Sequence, residues 1–173
     1  SGVNSAGAQA ASEFFSSPEH LLELKQESFK LMRILFPLTI VLMLLSNWLY
    51  PLVFRHDFEG SAVFFNIYLL LLISRMVFPQ SIVIALRDTG VIFRIALAEI
   101  AINIVASYVL MLYYGIEGIA WGTVIAYAAE KILLSIHLKR KHNIRVGKYI
   151  PVKQLVVLSI ILVFTYYFVH NFA

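Results

Sequence analysis

The sequence contains no cysteine, and only 14% of its 173 residues are charged. The absence of cysteine excludes disulfides, thiolate metal ligands and a cysteine nucleophile. A typical soluble domain has about 25% charged residues, so this chain has too few for an ordinary soluble surface. The sequence also has no Gly-rich phosphate loop ending in Lys and Ser or Thr, which excludes an ATPase centre within it.

Long apolar runs make up most of the chain, which is 60% hydrophobic with a mean hydropathy of +0.81. About 20 consecutive apolar residues are enough to cross a bilayer as a helix. We therefore predict an all-α integral membrane helix bundle, with about five transmembrane helices and an N-terminal amphipathic helix. The bundle covers residues 34–173, with spans at about 34–54, 62–86, 91–114, 119–138 and 154–171.

The N-terminal part is predicted to lie outside the bilayer. Residues 1–17 are rich in small side chains and are expected to end a preceding segment, because the chain starts with Ser and has no signal peptide. Ser17 and Pro18 are typical of a helix start. The segment 18–33 is then predicted as an amphipathic helix on the cytoplasmic side, with a short soluble connector helix as the alternative.

Basic residues are concentrated in three segments, at 25–33, 87–94 and 139–153. If five spans alternate in direction, all three segments lie on the same side of the membrane. Positively charged loops mark the cytoplasmic side of membrane proteins, so we predict a multi-pass protein with its basic loops in the cytoplasm. The net charge of +4 is therefore attributed to the membrane surface, and no nucleic-acid partner is expected.

Several polar side chains lie within the predicted spans. A charge at the bilayer centre costs roughly 2.5–3.5 kcal/mol on insertion scales, so each such charge needs a partner or a function. Arg94 is near the end of its span, where its long side chain can reach the interface. The candidates for the substrate or ion pathway are Arg75, Glu99, Asn103, Glu130, Arg94 and Lys131.

The depths of these residues follow from the two short turns between the middle spans. Counting outwards from the turns places Arg75, Asn103 and Glu130 at one depth. Glu99 is then four residues, or about 6 Å, closer to the basic side. Two interpretations remain open: buried ion pairs that hold the bundle together, or a hydrated pathway for a charged substrate or a coupling ion.

The fourth predicted span has a face of small residues. Gly118, Gly122 and Ala126 follow one another at steps of four, and Glu130 is the next step on that face. Small residues let two membrane helices approach closely. We therefore predict that this face packs on a neighbouring helix and that Glu130 points towards protein.

The sequence offers no recognisable catalytic or metal-binding motif. No nucleophile and base can be placed together, so no enzyme activity is expected. The histidines are scattered along the chain without a metal-ligand spacing, and neither a metal nor a cofactor is predicted. The histidines are His20, His56, His137, His142 and His170.

Four stretches of the sequence resemble one membrane protein family. They are KLMRILFPLTIVLMLLSNWLYPLVF with its early proline, the turn RDTG, the span AEIAINIVASYVLMLYYGIEG with its central asparagine, and GIAWGTVIAYAAEK directly after it. The chain resembles the C-terminal half of polysaccharide flippases, the lipid-linked oligosaccharide exporters of the MOP (MATE-like) superfamily. The resemblance covers about residues 18–150.

This resemblance implies a transporter of the bacterial or archaeal cytoplasmic membrane that works by alternating access. Its substrate would be a lipid-linked oligosaccharide, and its partner would be a homologous N-terminal half that is absent here. Arg75, and then Arg94, match the basic residues expected in the central cavity. Glu99 and Glu130 depart from a purely cationic cavity and suggest ion pairing or coupling to protons or sodium. The alternatives are a multidrug or cation exporter of the same superfamily and a non-transporting scaffold subunit.

Overall fold

The structure, a computed structural model, describes residues 17–53 and 61–172, and all the secondary structure in these residues is helical. The predicted all-α membrane fold is confirmed. Residues 1–16, which belong to the predicted tail 1–17, and residues 54–60 and 173 lie outside the described residues. The helices are α1 (Pro18–Val53), α2 (Ser61–Leu69), α3 (Leu71–Arg75), α4 (Pro79–Ala85), α5 (Thr89–Tyr114), α6 (Ile116–His142), α7 (Val146–Tyr149) and α8 (Val152–Phe172).

Four of these helices, α1, α5, α6 and α8, are long and apolar enough to cross a membrane. The segments Ser61–Arg75 and Pro79–Ala85 form a fifth span if they are counted together, with a bend of 44° between them. Pro79 is the first residue of α4, and a proline has no N–H group to continue the helix before it. The bend of this span therefore lies directly before Pro79, and the chain is a multi-pass membrane protein.

Helix α1 is one continuous helix of 36 residues. It joins the segment predicted as an amphipathic helix to the first predicted span without a break. Its buried side is a single stripe that includes Leu21, Met32, Phe36 and Met43. The exposed Pro37 lies within the helix and does not end it.

Polar side chains are buried between helices, whereas large apolar side chains cover much of the outside. Asn66 on α2 donates a hydrogen bond from Nδ2 to Ser46 Oγ on α1 over 2.8 Å. Ser46 Oγ in turn donates to the carbonyl oxygen of Met43. Such polar contacts between helices, with an apolar exterior, are the arrangement expected in lipid.

The segment between α6 and α8 is folded against the bundle. Tyr149 of α7 is fully buried, and its hydroxyl lies 3.3 Å from Ser135 Oγ on α6. On α1, Ser28 Oγ donates to the carbonyl oxygen of Tyr149, and Lys25 Nζ donates to that of Gly147 over 2.9 Å. The short helix α7 is therefore held between α1 and α6.

Helices α5 and α6 are antiparallel and are joined only by Gly115, whose φ of +60° is readily adopted by glycine. A Cβ atom on Gly118 would overlap the backbone of Leu110, and one on Gly122 would lie 2.6 Å from the Cα of Ser107. Only a residue without a side chain allows the two backbones to come this close. These two contacts fix the register of α6 on α5.

We predict that Gly122→Ala lowers the free energy of unfolding by about 1–3 kcal/mol, because the added methyl group forces the two backbones apart. Gly147→Ala is the matched control, since a Cβ atom there meets nothing within 4 Å. Unfolding of both variants in mixed micelles, followed by circular dichroism, measures the difference. Equal stability of the two variants would show that the contact at Gly122 is not close.

Candidate functional site

The register of α5 and α6 determines which polar groups face each other. Gly122 of α6 contacts Ser107 of α5. Because the helices are antiparallel, each further turn of four residues along α6 matches one turn back along α5. Asn103 therefore lies beside Ala126, and Glu99 lies beside Glu130. Asn103 Oδ1 accepts a hydrogen bond of 3.1 Å from Ser107 Oγ. Glu99, Asn103 and Ser107, which follow one another at steps of four on α5, therefore face the small-residue side of α6.

This register differs by one helical turn from the predicted register, which is obtained by counting residues outwards from the short connection between the two helices. The count places Asn103 level with Glu130, whereas the structure places Glu99 there. The difference arises because Gly118 packs against Leu110, eight residues earlier in the chain, whereas the count places it opposite Gly115, three residues earlier.

Glu130 is the most deeply buried charged residue in the described part of the chain, with 7% of its surface exposed. Its Oε2 lies 2.7 Å from the Nζ of Lys131. Glu99 interacts electrostatically with both residues. The structure thus places two carboxylates near each other between α5 and α6, with the ammonium group of Lys131 paired to one of them.

The two arginines are outside this group. The guanidinium of Arg75 lies over the ring of Tyr127, 5.7 Å from its centroid, which is a cation–π contact. Among the described residues, no carboxylate lies within 4.0 Å of Arg75. Arg94 donates from Nε to the carbonyl oxygen of Gly90, one turn earlier on its own helix. Arg75 therefore contacts α6 at Tyr127, three residues before Glu130 in sequence, and Arg94 lies in the first turns of α5.

A cavity of about 690 Å³ lies on another side of α6, bounded by α3, α7 and α8. Its walls are mainly apolar, with Ile73 and Val163 among them, and it extends along α6 from Trp121 to Lys139. These two residues are 18 positions apart, which corresponds to about 27 Å of helix. The hydrocarbon core of a bilayer is about 30 Å thick, so the cavity is nearly as long as the membrane is deep.

The cationic groups of the cavity are unevenly distributed. Lys131 lines its middle, and Lys139 and Arg145 line one end. No aspartate or glutamate among the described residues lines it. The cavity is therefore suited to a long apolar molecule that carries negative charge at one end.

A second charged cluster connects the turn before α5 to the last turns of α6. Asp88 Oδ2 lies 2.6 Å from His137 Nε2, 2.7 Å from Lys141 Nζ and 3.6 Å from His142 Nε2. The hydrogen bond from Lys141, supported by His137, lowers the pKa of the Asp88 carboxyl to about 2, although partial burial opposes the shift. We call the part of the bundle that holds this cluster and α7 the basic end.

Sequence reasoning missed this cluster because it treated the histidines as scattered. No local pattern in the sequence indicates the cluster, because it follows from the register of the two helices. The register that places Ser107 against Gly122 also places Asp88 beside Lys141, with His137 one turn away on the same helix.

Comparisons of the chain with protein-family models, with curated proteins and with solved structures find no match. Fold and site define the class: an all-α, multi-pass membrane protein with buried charges between two helices and an apolar cavity beside them. The resemblance to polysaccharide flippases stays a prediction.

We predict that Lys131→Ala lowers the free energy of unfolding by about 3–5 kcal/mol, because it leaves the buried Glu130 carboxylate without its partner. The double variant Glu130→Gln/Lys131→Met removes both charges, so its free energy of unfolding should fall by less than that of Lys131→Ala. Arg140→Ala, an exposed cation on the same helix, should change stability by no more than about 0.5 kcal/mol. Unfolding of the three variants in mixed micelles measures these differences, and a Lys131→Ala variant as stable as Arg140→Ala would contradict the prediction.

Proposed function

We propose that this chain is part of a transporter that flips a lipid-linked polysaccharide precursor across the cytoplasmic membrane. The observation that carries the proposal is the apolar cavity with cations at one end. A polyprenyl chain matches the apolar walls, and a diphosphate group matches Lys139 and Arg145. Hydrogen bonds between such cations and phosphate oxygens are among the strongest that proteins form.

The distribution of charge favours an anionic substrate over a cationic one. An exporter of cationic drugs needs carboxylates that face its cavity. Glu130 is instead buried and paired with Lys131, whose side chain lines the cavity. The proposal therefore assigns Lys131 to the substrate pathway and Glu130 to the orientation of that lysine.

The arrangement of the basic segments supports an orientation with the basic end in the cytoplasm. Lys25 contacts α7 at Gly147, and Lys141 contacts Asp88 beside the turn after α4. The three basic segments of the sequence thus meet at one end of the bundle. An excess of Lys and Arg on one side is typical of the cytoplasmic face. A lipid diphosphate made in the cytoplasm would meet this end first.

The cavity is lined by a tryptophan, Trp121, whose fluorescence can be used to measure binding. Trp121 lies at the end remote from Lys139, edge-on to Tyr166 of α8 with ring centroids 5.4 Å apart. The chain has only one other tryptophan, the exposed Trp48 on α1. A Trp48→Phe background therefore makes tryptophan emission specific to the cavity.

We predict that a polyprenyl diphosphate changes the emission of Trp121 in this background at lower concentration than the uncharged polyprenol of equal length. Lys139→Gln/Arg145→Gln should weaken binding of the diphosphate tenfold or more, since hydrogen bonds to charged groups contribute about 1.5–3 kcal/mol and about 1.4 kcal/mol is tenfold. Arg140→Gln, an exposed neighbour that does not line the cavity, is the matched control.

Two results would contradict the proposal. The first is equal affinity for the diphosphate and the polyprenol, together with an unchanged affinity in the double variant. This result would indicate that the cavity binds ordinary lipid and that the chain is a scaffold subunit. Tighter binding of a quaternary-ammonium amphiphile of the same chain length would favour the cation exporter.

A further inference from the structure

The cluster at the basic end has a composition that ion pairing alone does not explain. Asp88, His137 and His142 each offer one ligand atom, and these three atoms lie within 4.8 Å of one another. Two imidazoles and one carboxylate form a donor set that zinc and related metals bind. The proposed transport function uses none of the three residues.

We propose that Asp88, His137 and His142 form a binding site for a borderline divalent cation of the zinc class, which fastens the turn before α5 to the C-terminal end of α6. The three residues supply one carboxylate oxygen and two imidazole nitrogens. A water molecule completes the tetrahedral coordination that such ions prefer.

The two distances from Asp88 Oδ2 are each within 1 Å of those in a tetrahedral site, and the ligand atoms of the two imidazoles lie within 4.8 Å of each other. Bonds of about 2.0–2.1 Å place the ligand atoms of zinc about 3.3 Å apart. Asp88 Oδ2 is 3.6 Å from His142 Nε2, which is already near this separation. The distance of 2.6 Å to His137 Nε2 has to increase by less than 1 Å, which a small rotation of either side chain provides.

His142 provides an independent indication of a ligand. Its Nε2 is buried and has no hydrogen-bond partner in the described structure, although it points towards Asp88. Buried polar atoms in proteins nearly always have a partner. A cation bound by this nitrogen supplies one, with the ring proton then on Nδ1.

In this structure the ammonium group of Lys141 is bound to the carboxylate of the proposed metal site. Its ammonium lies 2.7 Å from Asp88 Oδ2, so the carboxylate already holds a positive charge there. The Lys141 side chain is more than half exposed, and its flexible stem can swing into water when a metal ion enters. Lys141 is therefore a competitor of the metal, and its removal should tighten metal binding.

The surroundings of the cluster restrict the kind of ion. Arg140 and Lys139 are in the same turn region of α6, so the site is in a positive environment. Magnesium and calcium need several oxygen ligands, and the cluster offers a single carboxylate. Ions that bind imidazole strongly are favoured, which defines zinc, cobalt and nickel as suitable probes.

The test is a zinc titration of the full chain in detergent, after removal of metal with a chelator, followed by calorimetry. Visible absorption with cobalt reports the coordination geometry independently. We expect one zinc ion per chain with tetrahedral cobalt bands. Asp88→Asn and His142→Gln should each lower the affinity at least tenfold, whereas Lys141→Gln should raise it several-fold.

His20→Gln and His170→Gln are the controls for adventitious binding to other histidines and should leave the affinity unchanged. The absence of stoichiometric zinc binding in both the wild type and Lys141→Gln would overturn the proposal. An affinity that falls as much in a control as in His142→Gln, or that does not rise in Lys141→Gln, would overturn it as well. The Lys141→Gln result remains decisive even if Asp88→Asn does not fold.

Discussion

The close contact of α6 with α5 at Gly118 and Gly122 determines most of the arrangement described above. Because neither glycine has a side chain, the backbones touch, and the two helices cannot slide along each other without a clash. This single register sets Glu99 beside Glu130 in the middle of the pair and Asp88 beside Lys141 at the basic end. The group of buried charges around Glu130 and the charged cluster around Asp88 are therefore consequences of one packing contact.

Helix α6 has a different chemistry on each side. Towards α5 it presents glycine, alanine and the buried carboxylate of Glu130, and towards α3, α7 and α8 it forms the wall of the cavity. Glu130 and Lys131 are neighbours in sequence, and their ion pair connects these two sides. A substrate anion that attracts Lys131 would compete with Glu130 for it, so occupancy of the cavity and the charge balance between α5 and α6 are linked.

The parts of this structure that could be predicted from sequence are those set by local pattern. Helical runs, the kink at Pro79 and the small-residue face of α6 follow from composition and from spacings of four. The count of residues from the turn missed the register by one turn, because no local pattern shows that α6 folds back against Leu110. The burial of Tyr149 and the meeting of Asp88 with His137 also depend on packing between distant segments, which a single sequence does not specify.

We propose that the cavity beside α6 carries a lipid diphosphate during transport. The most direct test gives a strain without its own polysaccharide flippase the gene that contains this chain, as wild type, Arg140→Gln or Lys139→Gln/Arg145→Gln, at matched membrane abundance. The wild type and Arg140→Gln should restore surface polysaccharide, and the double variant should not. Restoration by the double variant at the wild-type level, or failure of the wild type, would contradict it.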